Sequence, residues 1–242
     1  MIISYIELDG VDYMKIYIRK KFSGKRLFIG FMGIGGTGYF TIKHLIDNLE
    51  GVERVGIIDT SYIQPIASFD GERVRFPIEI YAKNEDIFLK IDDVPRGWRG
   101  NELIKNLIKY FKAKGIEEII SVGGLTKNLQ EDTSDTVRIV YNSYWSKKTP
   151  YRLAPKNLRI YGPLAMTLLY SELYRIPAIS ILAFSNDTMI DPMAVSQAIN
   201  VLNEMFGYRL STEELVEAAY QIDKIIRGID EYSEKEDKNI YT

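Results

Sequence analysis

Apolar and polar residues alternate through positions 2–8 (Ile-Ile-Ser-Tyr-Ile-Glu-Leu) and 13–18 (Tyr-Met-Lys-Ile-Tyr-Ile), largely in β-branched and aromatic types. A period of two predicts strands with one buried face, and Asp9-Gly10 between them predicts a hairpin. Leu27–Met32 is then a short apolar run closed by Gly33-Ile34-Gly35-Gly36-Thr37-Gly38, with apolar residues at helical spacing as far as Leu49. That reads as strand, glycine turn, helix. Val55–Ile58 predicts the next strand and completes a βαβ unit. Arg75–Tyr81 and Ile87–Ile91, on either side of Lys83-Asn84-Glu85-Asp86, predict an antiparallel hairpin near a sheet edge.

Leu103, Ile104, Leu107, Ile108 and Phe111 share one helical face between Gly100 and Gly115, and a glycine is a natural stop for such a helix. Strands are predicted at Ile119–Val122, Val137–Tyr141 and Ala178–Phe184. A helix with Pro163 in its first turn runs to Tyr174. Strands alternating with helices predict an α/β fold of three αβα layers, with an open, largely parallel sheet and added antiparallel hairpins. Pro192–Phe206 and Ser211–Tyr232 close the pattern as two helices, the second opened by the capping-box spacing Ser211-x-x-Glu214. Leu215, Ala218, Ala219, Ile222, Ile225, Ile226 and Ile229 form a stripe on that last helix, fit to cover the sheet or to meet another subunit. Gly228 weakens it near its end. The expected organisation is an α/β domain over residues 1–210, a helix over 211–232 and a flexible tail over 233–242.

Composition narrows the chemistry. The 242 residues are 46% hydrophobic and contain no cysteine, which removes disulfides, thiolate metal sites and cysteine nucleophiles. One histidine, His44, leaves no room for a multi-histidine metal site, and it reads as a surface or packing residue. Net charge is −2, from 31 basic and 33 acidic residues, so no long-range field recruits nucleic acid or anionic lipid. Apolar runs such as Ile176–Phe184 fall far short of a membrane span, and no signal-peptide pattern opens the chain. A cytoplasmic protein is expected.

Gly33-x-Gly35-x-x-Gly38 after a strand and before a helix, with Asp59 ending the following strand, has the form of a dinucleotide-binding fingerprint. Pyrophosphate would then sit on the helix N-terminus and Asp59 on a ribose hydroxyl. The alternative is a tight turn whose glycines permit close packing of strand and helix. Against the enzyme stand the unusual strands around the unit and the lack of any downstream hydride chemistry. Glu131, Asp132, Asp135, Glu172, Asp187 and Asp191 are the remaining candidate carboxylates; Asp191-Pro192 also reads as an ordinary N-cap and first-turn proline. No serine elbow, Walker loop or metal-ligand spacing occurs, so no catalytic residue and no cofactor is assigned.

At the end of the chain, Tyr232–Asn239 is too polar to pack into a core, yet Ile240-Tyr241-Thr242 follows it. Ten flexible residues span roughly 17 Å, enough to reach a pocket from a docked body. Capture of a terminal carboxylate with neighbouring side chains in apolar slots is a known peptide-docking mode. The ending resembles the hydrophobic-Tyr-any-residue signature that proteasome activators and assembly factors insert between α subunits of the core particle.

Two internal segments add to this: Gly30-Phe31-Met32-Gly33-Ile34-Gly35, and Tyr161-Gly162-Pro163 through Glu172, Ile176-Pro177-Ala178 and Asp191-Pro192-Met193-Ala194. They resemble the archaeal relatives of the second proteasome assembly chaperone over about residues 25–207. The resemblance implies an α/β domain of nucleoside-phosphorylase architecture with no catalytic role, acting on proteasome α subunits through its C-terminus. The docking motif then falls on Ile240, Tyr241 and Thr242, with Gly33 and Gly35 structural. The additional Gly36-Thr37-Gly38 departs from the family pattern and keeps a phosphate ligand in play. No ATPase module is visible, so proteasome activation would be ATP-independent. A three-residue anchor is small, and a homo-oligomer would multiply it.

Overall fold

The computed structural model describes residues 2–7, 12–187 and 189–225. The chain opens with β1 (Ile2–Glu7), β2 (Tyr13–Ile18) and β3 (Arg26–Gly30), followed by helix α1 (Thr37–Asn48) and β4 (Glu53–Thr60). A small ribbon, β5 (Ser68–Phe69) and β6 (Val74–Arg75), precedes β7 (Ile78–Lys83), β8 (Asp86–Ile91) and α2 (Trp98–Ala113). After β9 (Glu118–Thr126) and β10 (Val137–Tyr141) come α3 (Gly162–Leu173), β11 (Ala178–Ser185) and α4 (Pro192–Phe206). Residues 213–225 form a last helix, α5. Asp9-Gly10, Ile226, Gly228, Ile229 and the tail 233–242 lie outside the described residues.

Among the described residues, nine strands make one sheet in the order β1-β2-β4-β7-β8-β3-β9-β11-β10. Six of them run in one direction, but only β8-β3, β3-β9 and β9-β11 pair in parallel; the outer pairs are antiparallel. Successive strand residues point to opposite faces, so Leu27 and Ile29 enter the core beneath α2 and α3, whereas Phe28 enters the core beneath α1 and α4. The three αβα layers of the sequence reading follow from this alternation.

Two expectations change. The β7–β8 hairpin does not lie near an edge; it is inserted between β4 and β3. Its polar residues Glu79, Asp86 and Lys90 are buried there, and Arg54, Arg26 and Asp92 pair with them. Consequently β3-α1-β4 is not a βαβ unit of neighbouring strands, since two strands stand between its ends. The helix boundaries were more local matters. Asp191 caps α4 by accepting from Ala194 N at 3.1 Å, with Pro192 in the first turn, and Gly207 ends the helix in the left-handed region. In α5, Leu215, Ala219 and Ile222 are half-buried while Ala218 and Ile225 are exposed, so the stripe only partly meets the body. No helix among the described residues is long and apolar enough to cross a membrane.

Candidate functional site

Open α/β sheets place ligands beyond the carboxyl ends of their parallel strands. Here the ends of β3, β9 and β11 bring together the glycine turn, Lys127 and the segment Ser185–Asp191. Gly35 has φ +62°, and a Cβ on it would stand 1.7 Å from Ser185 Oγ and 3.2 Å from Asp191 Cβ. Only glycine fits this left-handed, close-packed position. Asp191 N donates to Gly35 O at 3.0 Å and fastens the turn to the start of α4. Gly30 and Gly38 are equally confined, because a Cβ on Gly38 would lie 2.3 Å from Val122 O and one on Gly30 would lie 2.1 Å from Gly38 O. The glycines thus let α1 lie directly on β3 and β9.

Three donors of the turn and helix start are already spent. Gly36 N reaches Gly33 O at 2.9 Å, Tyr39 N reaches Phe31 O at 3.1 Å, and Thr37 N bonds Ile34 O. A phosphate cradle needs such N–H groups free and aimed at the ligand. Asp59 is elsewhere: three inter-strand spacings, about 14 Å, separate β4 from β3. It is exposed, accepts from the Tyr13 hydroxyl at 3.3 Å, and lines an apolar cavity of about 440 Å³ with Arg19, Ile63 and Phe76. Gly33, Gly35 and Gly38 therefore share a turn to which Asp59 does not contribute.

Asp191 is the polar hub of this edge. It accepts from Lys127 Nζ at 2.8 Å, Asn186 N at 2.9 Å and Ala194 N at 3.1 Å. Burial alone would raise its pKa, but Lys127 and the two backbone donors outweigh burial and hold the carboxylate below its ordinary range. Beyond the pair lies a cavity of about 250 Å³ bounded by Met189, Ile190 and Met193 on one side and Ala219 and Ile222 of α5 on the other. The sequence reading singled out Asp191 and missed Lys127. Its signal was positional: each residue follows the carboxyl end of a strand.

The remaining carboxylates act locally. Asp187 accepts from Thr126 Oγ1 at 2.9 Å, and Asp135 pairs with Arg138 and Arg152. Asp132 accepts from Ser134 N at 2.9 Å, and Glu172 from Ser143 N at 3.0 Å; these bonds lower both pKa values. His44 Nε2 lies 3.1 Å from Ser211 O, holding α1 to the approach of α5, and burial lowers its pKa. Among the described residues, no group of three or more His, Asp or Glu side chains is arranged to hold a metal.

A third cavity, of about 220 Å³, opens beside the glycine turn between Met32–Ile34, the end of β9 and the segment Leu158–Leu164. The sequence matches the PAC2 family profile over residues 27–229. The chain belongs to the PAC2 family. Its fold is similar to that of Pyrococcus furiosus PbaA, described as an archaeal homolog of proteasome-assembly chaperone, with TM-score 0.74, 21% identity and coverage of 94% of this chain and 95% of that one. It is also similar to Pyrococcus furiosus PbaB, described as an archaeal proteasome activator (TM-score 0.72, 17% identity, 90% and 98% coverage). A PAC2 family protein from Streptomyces avermitilis matches at TM-score 0.57 and 15% identity over 85% of this chain and 94% of that one. No curated protein sequence matches. The PAC2 profile spans the glycine turn, Asp191 and most of α5, but stops before Ile240, Tyr241 and Thr242, which lie outside the described residues.

Proposed function

We propose that this PAC2-family chain serves the proteasome core particle as an ATP-independent assembly chaperone or activator and is not an enzyme. Family membership over residues 27–229 carries the reading. It is supported by the shared fold of PbaA, a homolog of proteasome-assembly chaperone, and PbaB, a proteasome activator. The anchor is Ile240-Tyr241-Thr242, entering pockets of the α-subunit ring. There the tyrosine ring fills an apolar slot and the Thr242 carboxylate accepts charge-assisted hydrogen bonds, which requires that this carboxylate be free.

One such anchor buries little surface, whereas several on a homo-oligomer gain avidity of about 10²–10⁴. On α5 the stripe Leu215, Ala218, Ala219, Ile222 and Ile225, the last of them 62% exposed, supplies the self-contact. The protein works in the cytoplasm and uses neither nucleic acid, membrane nor cofactor.

The test is to mix the purified protein with purified core particle and follow co-migration and peptide hydrolysis together. Binding with faster hydrolysis identifies an activator. Binding at unchanged hydrolysis, with faster assembly from separated subunits, identifies a chaperone. Failure to co-migrate overturns the reading.

A further inference from the structure

The cavity of about 220 Å³ beside the glycine turn has walls of Phe31, Val122, Leu125, Leu158, Ile160 and Leu182. Apolar side chains also crowd its mouth, where Met32 is 53% and Tyr161 74% exposed. Among the described residues that line it, Arg159 is the only charged one. Lys156 stands in the tight turn just before it, closed by Leu158 N donating to Pro155 O at 3.2 Å. Arg159 and Lys156 are both exposed, and among the described residues neither has an ion-pair partner, so their charges are open to a ligand at the mouth.

Size and charge select the occupant. Pockets for whole small-molecule ligands run to about 300–1,000 Å³, so this one suits a single large side chain. Exposed apolar groups around a preformed hole, with arginine at the rim, are the makings of an anchor pocket in a protein interface. The uncompensated cations call for acidic residues beside the anchor. We propose that this cavity is a docking pocket for a partner peptide that inserts one large apolar side chain flanked by carboxylates. The proposal does not depend on the C-terminal anchor, because pocket and tail are separate parts of the chain.

A direct probe is the peptide acetyl-Glu-Glu-Phe-Glu-Glu-amide, added to the full-length protein carrying ¹³C-methyl methionine. The expected result is a dose-dependent shift of the Met32 methyl signal, with a dissociation constant below about 1 mM by calorimetry. Replacing Phe by Ala in the peptide, or all Glu by Gln, is expected to weaken binding at least about tenfold. Arg159→Glu combined with Lys156→Glu should do the same, and both positions are exposed, so folding is spared. Gly33→Phe blocks the mouth at a position where φ is −135°, outside the left-handed region, and a Cβ meets nothing within 4 Å. It should abolish the Met32 shift while the melting temperature is retained. An unshifted Met32, undiminished binding by Gly33→Phe, or equal affinity for the Gln peptide overturns the proposal. So does 3-phenylpropionate binding as tightly as the peptide, which would reassign the cavity to a small aromatic acid.

Discussion

Lys127 Nζ lies 2.8 Å from Asp191 Oδ2, tying the end of β9 to the residue that caps α4. The two partners are unequal: the Lys127 side chain is 52% exposed and that of Asp191 8%. Removing the carboxylate uncaps a helix and deletes buried hydrogen bonds, whereas removing the ammonium leaves two backbone donors in place. Asp191→Ala should cost about 2 kcal/mol and Lys127→Ala less than about 1 kcal/mol. Urea unfolding of both variants measures the asymmetry.

The same carboxylate sets a pH dependence. Its folded pKa lies below its unfolded value, so its stabilisation is present above the unfolded pKa of about 3.9 and disappears as pH falls through the folded value. The stability difference between the wild type and Asp191→Asn should be full near neutrality and close below about pH 4. Urea midpoints measured across that range check the sign.

Glu79 is fully buried, accepts from Arg54 and from the Tyr81 hydroxyl, and has Arg75 and Lys90 each 3.9 Å away. Glu79→Ala strands an almost buried guanidinium and should cost about 3–5 kcal/mol. Lys20→Ala breaks a pair with Glu53 that is exposed on both sides, and should cost less than about 1 kcal/mol. Thermal unfolding in parallel separates the two.

At the glycine turn, neighbouring glycines tolerate a side chain very differently. Gly35→Ala must place a side chain in the left-handed region and against Ser185, a loss of at least about 2 kcal/mol. Gly33→Ala should stay within about 0.5 kcal/mol. Calorimetry with NAD, FAD and ATP should give no binding heat at physiological concentrations. A micromolar affinity abolished by Asp59→Ala would reinstate the dinucleotide reading.

Deleting Ile240-Tyr241-Thr242, or making Tyr241→Ala, should abolish co-migration with the core particle while the melting temperature and oligomeric state stay unchanged. One residue added after Thr242 moves the carboxylate by about 3.5 Å and should weaken binding while leaving the tyrosine intact. Undiminished binding by the truncated protein would remove the tail from the mechanism.

Local patterns carried much of this fold. Alternation along 13–18, the glycines before Thr37 and the pair Asp191-Pro192 each dictate a nearby backbone conformation, because burial period, left-handed turns and capping act within a few residues. The terminal tripeptide too is a property of the sequence alone. Strand order is different in kind. Nothing between Arg75 and Ile91 says that its hairpin enters the middle of the sheet, since the charges that look solvent-facing find partners such as Arg54 and Arg26, 25 and 60 residues away. That insertion removes Asp59 from the glycine turn. Likewise, Lys127 and Asp191 meet across 64 residues, and the walls of the cavity beside the glycine turn come from four separate segments. Periodicity reports which face of an element is buried; which elements become neighbours depends on long-range pairing and crossover, and only the tertiary structure decides it.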